Sequence, residues 1–128
     1  MRRLAANASA GVALALALPS LALADGPPAG KYSAKITTPP ELKGTWVLSF
    51  AKSGTYTITQ AGKVVVRGHD LSVGPQMQMY KETGSKACPS TGYYNFKRTG
   101  KTLTFAKLSD PKCAGRAFVL SHAFKFAG

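Results

Sequence analysis

From residue 44 to residue 126, apolar and polar positions alternate in short runs separated by turn signals. Thr45 to Phe50 places Trp46, Leu48 and Phe50 on one face. Ser53-Gly54 breaks the run. In Thr55 to Gln60, Tyr56 and Ile58 oppose Thr55, Thr57 and Thr59, the pattern of a half-buried strand with a wet outer face. Ala61-Gly62-Lys63 then turns into the β-branched run Val64-Val65-Val66-Arg67. Gly68 marks a bend or bulge within it. Gln76 to Tyr80 alternates strictly, Gly92 to Phe96 follows, and Thr99-Gly100 turns into Thr102 to Phe105. Arg116 to Leu120 and His122 to Phe126 read as the last two strands. Sustained helical periodicity is missing. The pattern predicts an all-β domain, an up-and-down antiparallel barrel of about eight short strands, in which closure removes exposed edges.

Ahead of this domain (residues 44–128) the pattern differs. Residues 25–43 contain Pro27, Pro28, Pro39 and Pro40 and read as an extended lead-in. Pro39-Pro40-Glu41-Leu42 suits a single helical turn, since proline is tolerated at a helix start. Residues 1–24 carry a short positive start (Met1-Arg2-Arg3), an uncharged apolar run from Leu4 to Leu18, a break at Pro19-Ser20, and Ala22-Leu23-Ala24 as a cleavage site. That order is a secretory signal peptide. Its apolar run is too short for a membrane anchor, and a cysteine for lipid attachment is missing at the cleavage point. The paired arginines lack the flanks of a twin-arginine signal. A secreted or periplasmic protein that does not span a membrane is expected.

Export changes the meaning of composition. The 128 residues hold 17 Lys plus Arg against 5 Asp plus Glu, and without Arg2 and Arg3 the remainder still has a net charge of +10. Outside a cell such a surface meets acidic polysaccharide, an anionic envelope surface or an acidic protein before nucleic acid. Cys88 and Cys113 are the only cysteines, and in an oxidising compartment they pair by default. A structural zinc would need four ligands, and the chain has two Cys and two His. Neither a metal nor a cofactor is expected.

Gly44-Thr45-Trp46 at the head of a strand, with the Pro39–Leu42 turn before it and Arg116 late in the chain, resembles the signature of lipocalins and the wider calycin group. The order Gly92-x-Tyr94-x-Phe96, Leu103-x-Phe105, Asp110, Cys113, Arg116 is also similar to small secreted lipocalin-like proteins of bacteria. The resemblance implies a closed barrel, often with a lumenal ligand, plugged at one end by Trp46 with Arg116 stacked over its ring.

Candidate chemistry follows from the faces. Catalytic motifs are not found: there is no G-x-S-x-G, no H-E-x-x-H and no phosphate loop. Ser121 and His122 are adjacent and would point to opposite faces of a strand. An enzyme is not expected. The inward set runs through Trp46, Leu48, Phe50, Tyr56, Ile58, Val64, Val66, Met77, Met79, Tyr94, Phe96, Leu103, Phe105, Phe118, Leu120, Phe124 and Phe126, enough bulk to fill a short barrel. Within it Tyr56, Met77, Met79 and Tyr94, with His122 at the mouth, form the candidate site for a small hydrophobic or amphipathic ligand. The alternative is an interaction module, a secreted inhibitor or envelope-associated factor using loops and basic surface. A pocket of at least about 300 Å³ opening to one end favours the ligand carrier over that alternative.

Overall fold

In a computed structural model, residues 27–128 are described; the signal-peptide reading of residues 1–24 lies outside them. The strands are β1 (Gly30–Ile36), β2 (Gly44–Phe50), β3 (Thr55–Gln60), β4 (Lys63–Val73), β5 (Gln76–Thr83), β6 (Gly92–Thr99), β7 (Thr102–Ser109) and β8 (Phe124–Phe126). Each pairs antiparallel with the next, and β8 returns to β1 through Tyr32–Phe126 and Ser33–Lys125, closing the barrel. A 3-10 turn, Pro40–Leu42, precedes β2, and one helix, α1 (Ala114–Leu120), lies between β7 and β8. The expected all-β up-and-down barrel is therefore present.

Two elements differ from expectation. Residues 30–36, read as part of the lead-in, form the first strand: Tyr32 and Ile36 are buried while Lys31 and Lys35 face water. The barrel thus begins before residue 44, and its seam depends on this segment. Arg116 to Leu120, read as a strand, is helical. Arg116, Val119 and Leu120 are its buried positions, the i, i+3, i+4 spacing of one helix face.

The inward face is one continuous packed cluster. Tyr32, Leu48, Ile58 and Val66 form a lateral row across four strands, and Met77, Met79, Tyr94, Leu103 and Phe124 complete the wall. A bulge opposite Ile58 and Thr59 inserts one extra residue in β4. Val65 and Val66 are consequently both buried, and Val64, expected inside, is 46% exposed. Phe118 and Phe126 are also more exposed than expected, the first because its segment is a helix and the second because it stands at the barrel seam.

A second register shift, between Arg67 and His69, falls where Gly68 predicted it. A β-carbon on Gly68 would lie 2.5 Å from the ring and hydroxyl of Tyr56. This glycine is the notch that lets Tyr56 cross to Glu82.

Connections divide unequally between the two ends. One end carries the short turns 51–54, 74–75 and 100–101. The other carries the tight turn 61–62 and the longer segments 37–43, 84–91 and 110–123, which include the 3-10 turn and α1. Cys88 and Cys113 form the expected disulfide between the last two of these, with Cα atoms 5.9 Å apart.

Candidate binding site at the loop end of the barrel

Beneath the long connections lies a half-open pocket of about 350 Å³. Its apolar floor is made by Leu42, Trp46, Ile58, Val66, Val119 and Leu120, so it dips from the loops into the top of the barrel. Its walls are the disulfide, Ala87 and α1, and Lys86 and Lys112 line it as well. The Trp46 indole N–H donates to the Leu42 carbonyl at 2.7 Å, fixing the ring against the 3-10 turn. This is the reason for a short turn just before β2: it places a carbonyl where the indole needs an acceptor.

The polar side of the pocket is a buried ionic cluster. Arg116 donates through Nε and Nη2 to the two carboxylate oxygens of Asp110, each at 2.7 Å, and through Nη2 to the Ser90 carbonyl at 2.8 Å. Its Nη1 lies 3.2 Å from Glu82 Oε2. Tyr94 donates to Asp110 and Tyr56 to Glu82, each at 2.5 Å, while the Cys88 backbone N–H donates to Glu82 Oε1. Fork-to-fork pairing of a guanidinium with a carboxylate gives strong, directional hydrogen bonds. Space for it comes from Gly92, where a β-carbon would sit 2.7 Å from Arg116 Nη2 and 2.8 Å from Asp110 Oδ2.

The electrostatics follow. Burial disfavours the charge on Arg116, but the hydrogen bonds to Asp110 and the charge of Glu82 outweigh it and hold the guanidinium above its ordinary range. Burial, reinforced by the adjoining carboxylates, pushes the Tyr56 and Tyr94 hydroxyls up, so both remain donors. Asp70 stands apart from the cluster. Burial pushes its carboxyl up to about 6, with neighbouring His69 pulling the other way.

The predicted ligand residues separate from this pocket. Tyr56, Met77, Met79 and Tyr94 are at most 2% exposed and belong to the packed interior, with Tyr56 and Tyr94 serving as donors to the ionic cluster. His122 sits past the end of α1, its Nδ1 3.0 Å from the Phe118 carbonyl and its ring edge-on to Phe118. None of the five lines the pocket. Trp46 and Arg116 do, but the guanidinium engages Asp110, Glu82 and Ser90 rather than the indole face. An Arg-on-aromatic stack occurs elsewhere: Arg98 lies 5.3 Å from the Tyr32 ring and 4.9 Å from that of Phe126, at the seam.

Sequence reasoning also missed the roles of Glu82, Leu42, Lys86 and α1. The signal available was the spacing of Asp110, Cys113 and Arg116, which brings a carboxylate, a staple and a guanidinium into one loop-helix unit. Compared with known proteins, the chain matches no family model, no curated protein and no solved structure.

Proposed function

We propose that this is an exported, non-catalytic binding protein of lipocalin-like type that holds one small amphipathic molecule at the mouth of its barrel. The observation that carries this reading is the pocket of about 350 Å³ at the loop end, with its apolar floor. The volume falls in the range of small-molecule sites. Since the lumen beneath is packed, the ligand lies in the mouth, over Trp46, and does not descend to Met77 and Met79. The walls are tied in advance by the disulfide and the Arg116 cluster, which lowers the ordering cost of binding. Arg116 is ion-paired with both Glu82 and Asp110, although its buried Nη1 makes no hydrogen bond, and this pairing suits architecture more than proton transfer. The disulfide fits an oxidising compartment.

Native mass spectrometry of the protein purified from its own host tests this. A reproducible small-molecule adduct is expected, and Val119→Phe, which extends a ring into the pocket, should abolish it. Failure to find any adduct, or one unaffected by Val119→Phe, counts against the reading.

One observation favours a second reading. All twelve lysines of the described residues are exposed, whereas Asp70, Asp110 and the Glu82 side chain are buried, leaving Glu41 as the exposed acid among them. An interaction module for an acidic polysaccharide, envelope surface or protein would use that cationic shell. Salt-sensitive retention on anionic polymers without any adduct would favour it.

A further inference from the structure

Resting on the pocket reading above, we infer that the ligand is an amphipathic anion whose carboxylate, sulfonate or phosphate head is held between Lys86 and Lys112. Three observations carry this. First, the pocket is divided chemically: apolar side chains line its floor and the two lysines belong to the segments that form its walls. Second, the acids near it are already committed. Glu82 and Asp110 are locked to Arg116, and no described carboxylate lies within ion-pair distance of Lys86 or Lys112. Lys86 donates to the Glu41 backbone carbonyl, at 3.2 Å, and has no ion-pair partner among the described residues. Third, both lysines sit beside the staple, two residues before Cys88 and one before Cys113. The disulfide fixes the spacing of the two wall segments and brings two like charges to one opening, an arrangement that a bound anion relieves.

Size narrows the class further. A volume of about 350 Å³ lies at the lower end of the range for small-molecule pockets, which suits a single ring or a short chain with one charged head. Glu82 and Asp110 outnumber Arg116, so the buried cluster is net negative and a second anionic group deep in the pocket would be repelled. The ligand therefore enters apolar end first.

Matched probes on the full chain test this, with Trp46, the single tryptophan, as reporter on the pocket floor. Octanoate and octyl phosphate should bind more tightly than 1-octanol. In Lys86→Gln/Lys112→Gln that advantage should fall by about three- to tenfold, as expected for two partly exposed ion pairs. Lys52→Gln/Lys101→Gln, at the opposite end, should keep it, and raised salt should reduce it. Equal binding of octanol and the anions, or equal loss in both double variants, overturns anion recognition and leaves the pocket reading intact. If neither octanol nor the anions perturb Trp46, the pocket reading fails and this inference with it.

Discussion

Arg116→Met isolates the buried ionic cluster. In the native protein the Arg116, Asp110 and Glu82 side chains are 3%, 0% and 1% exposed. Removing the guanidinium leaves two carboxylates in the interior with only Tyr94, Tyr56 and the Cys88 N–H as donors. Breaking a buried pair on one side costs about 3–5 kcal/mol, a large share of the total stability of a domain this size. At about 4 °C per kcal/mol or more, the midpoint should fall by at least about 12 °C. Urea unfolding at pH 7, followed by Trp46 fluorescence, reads the change in free energy. The companion variant Arg116→Met/Asp110→Asn/Glu82→Gln removes all three charges while keeping acceptors for both tyrosines. It should return to within about 2 kcal/mol of the parent, because replacing a whole buried ion group by neutral residues is often close to neutral. If Arg116→Met unfolds within about 1 kcal/mol of the parent, the cluster does not organise this end of the barrel. If the triple variant is as weak as the single one, shape and not charge is what Arg116 supplies.

Other outcomes follow from the same structure. Asp70, with its carboxyl pushed up to about 6 from an ordinary 3.8, keeps its proton in the native state after the unfolded chain has lost it. Stability should therefore fall as pH rises from about 4 to about 6, and Asp70→Asn should flatten that fall and melt higher than the parent at pH 7; an unchanged pH profile contradicts this. Gly68→Ala should cost about 1–3 kcal/mol by driving a methyl into Tyr56, and a variant melting like the parent would show that Tyr56 has room to move. Cys88→Ala/Cys113→Ala, which opens a cross-link 25 residues apart, should lower stability by about 2–4 kcal/mol and weaken any ligand seen by Trp46, measured by urea titration and fluorescence.

Much of the barrel was legible because its strands alternate cleanly and its turns carry glycine. The first strand was masked by its proline-rich surroundings, although Lys31, Tyr32, Ser33, Ala34, Lys35 and Ile36 do alternate; the local pattern outweighed the flanks. The helix was illegible for the opposite reason. Phe118-Val119-Leu120 favours a strand by propensity, but the pairing of Arg116 with Asp110 and the cross-link at Cys113 hold the segment as a short helix over the mouth. Parity placed most of the inward residues correctly and could not foresee the β4 bulge, which turned Val64 outward. The candidate site was the least readable part. Tyr56, Met77, Met79 and Tyr94 do face inward, but whether an inward side chain lines a space or fills it depends on the summed volume of eight strands. The pocket instead arises where three loops meet.

The proposed ligand site is the loop-end mouth above a filled lumen. Amide and methyl NMR spectra of the full chain, titrated with octanoate, test it most directly. Shifts are expected to be confined to Leu42, Trp46, Val66, Lys86, Val119 and Leu120, which line the pocket, and their neighbours. Shifts centred on Met77 and Met79, or on the short turns at the opposite end, would contradict it.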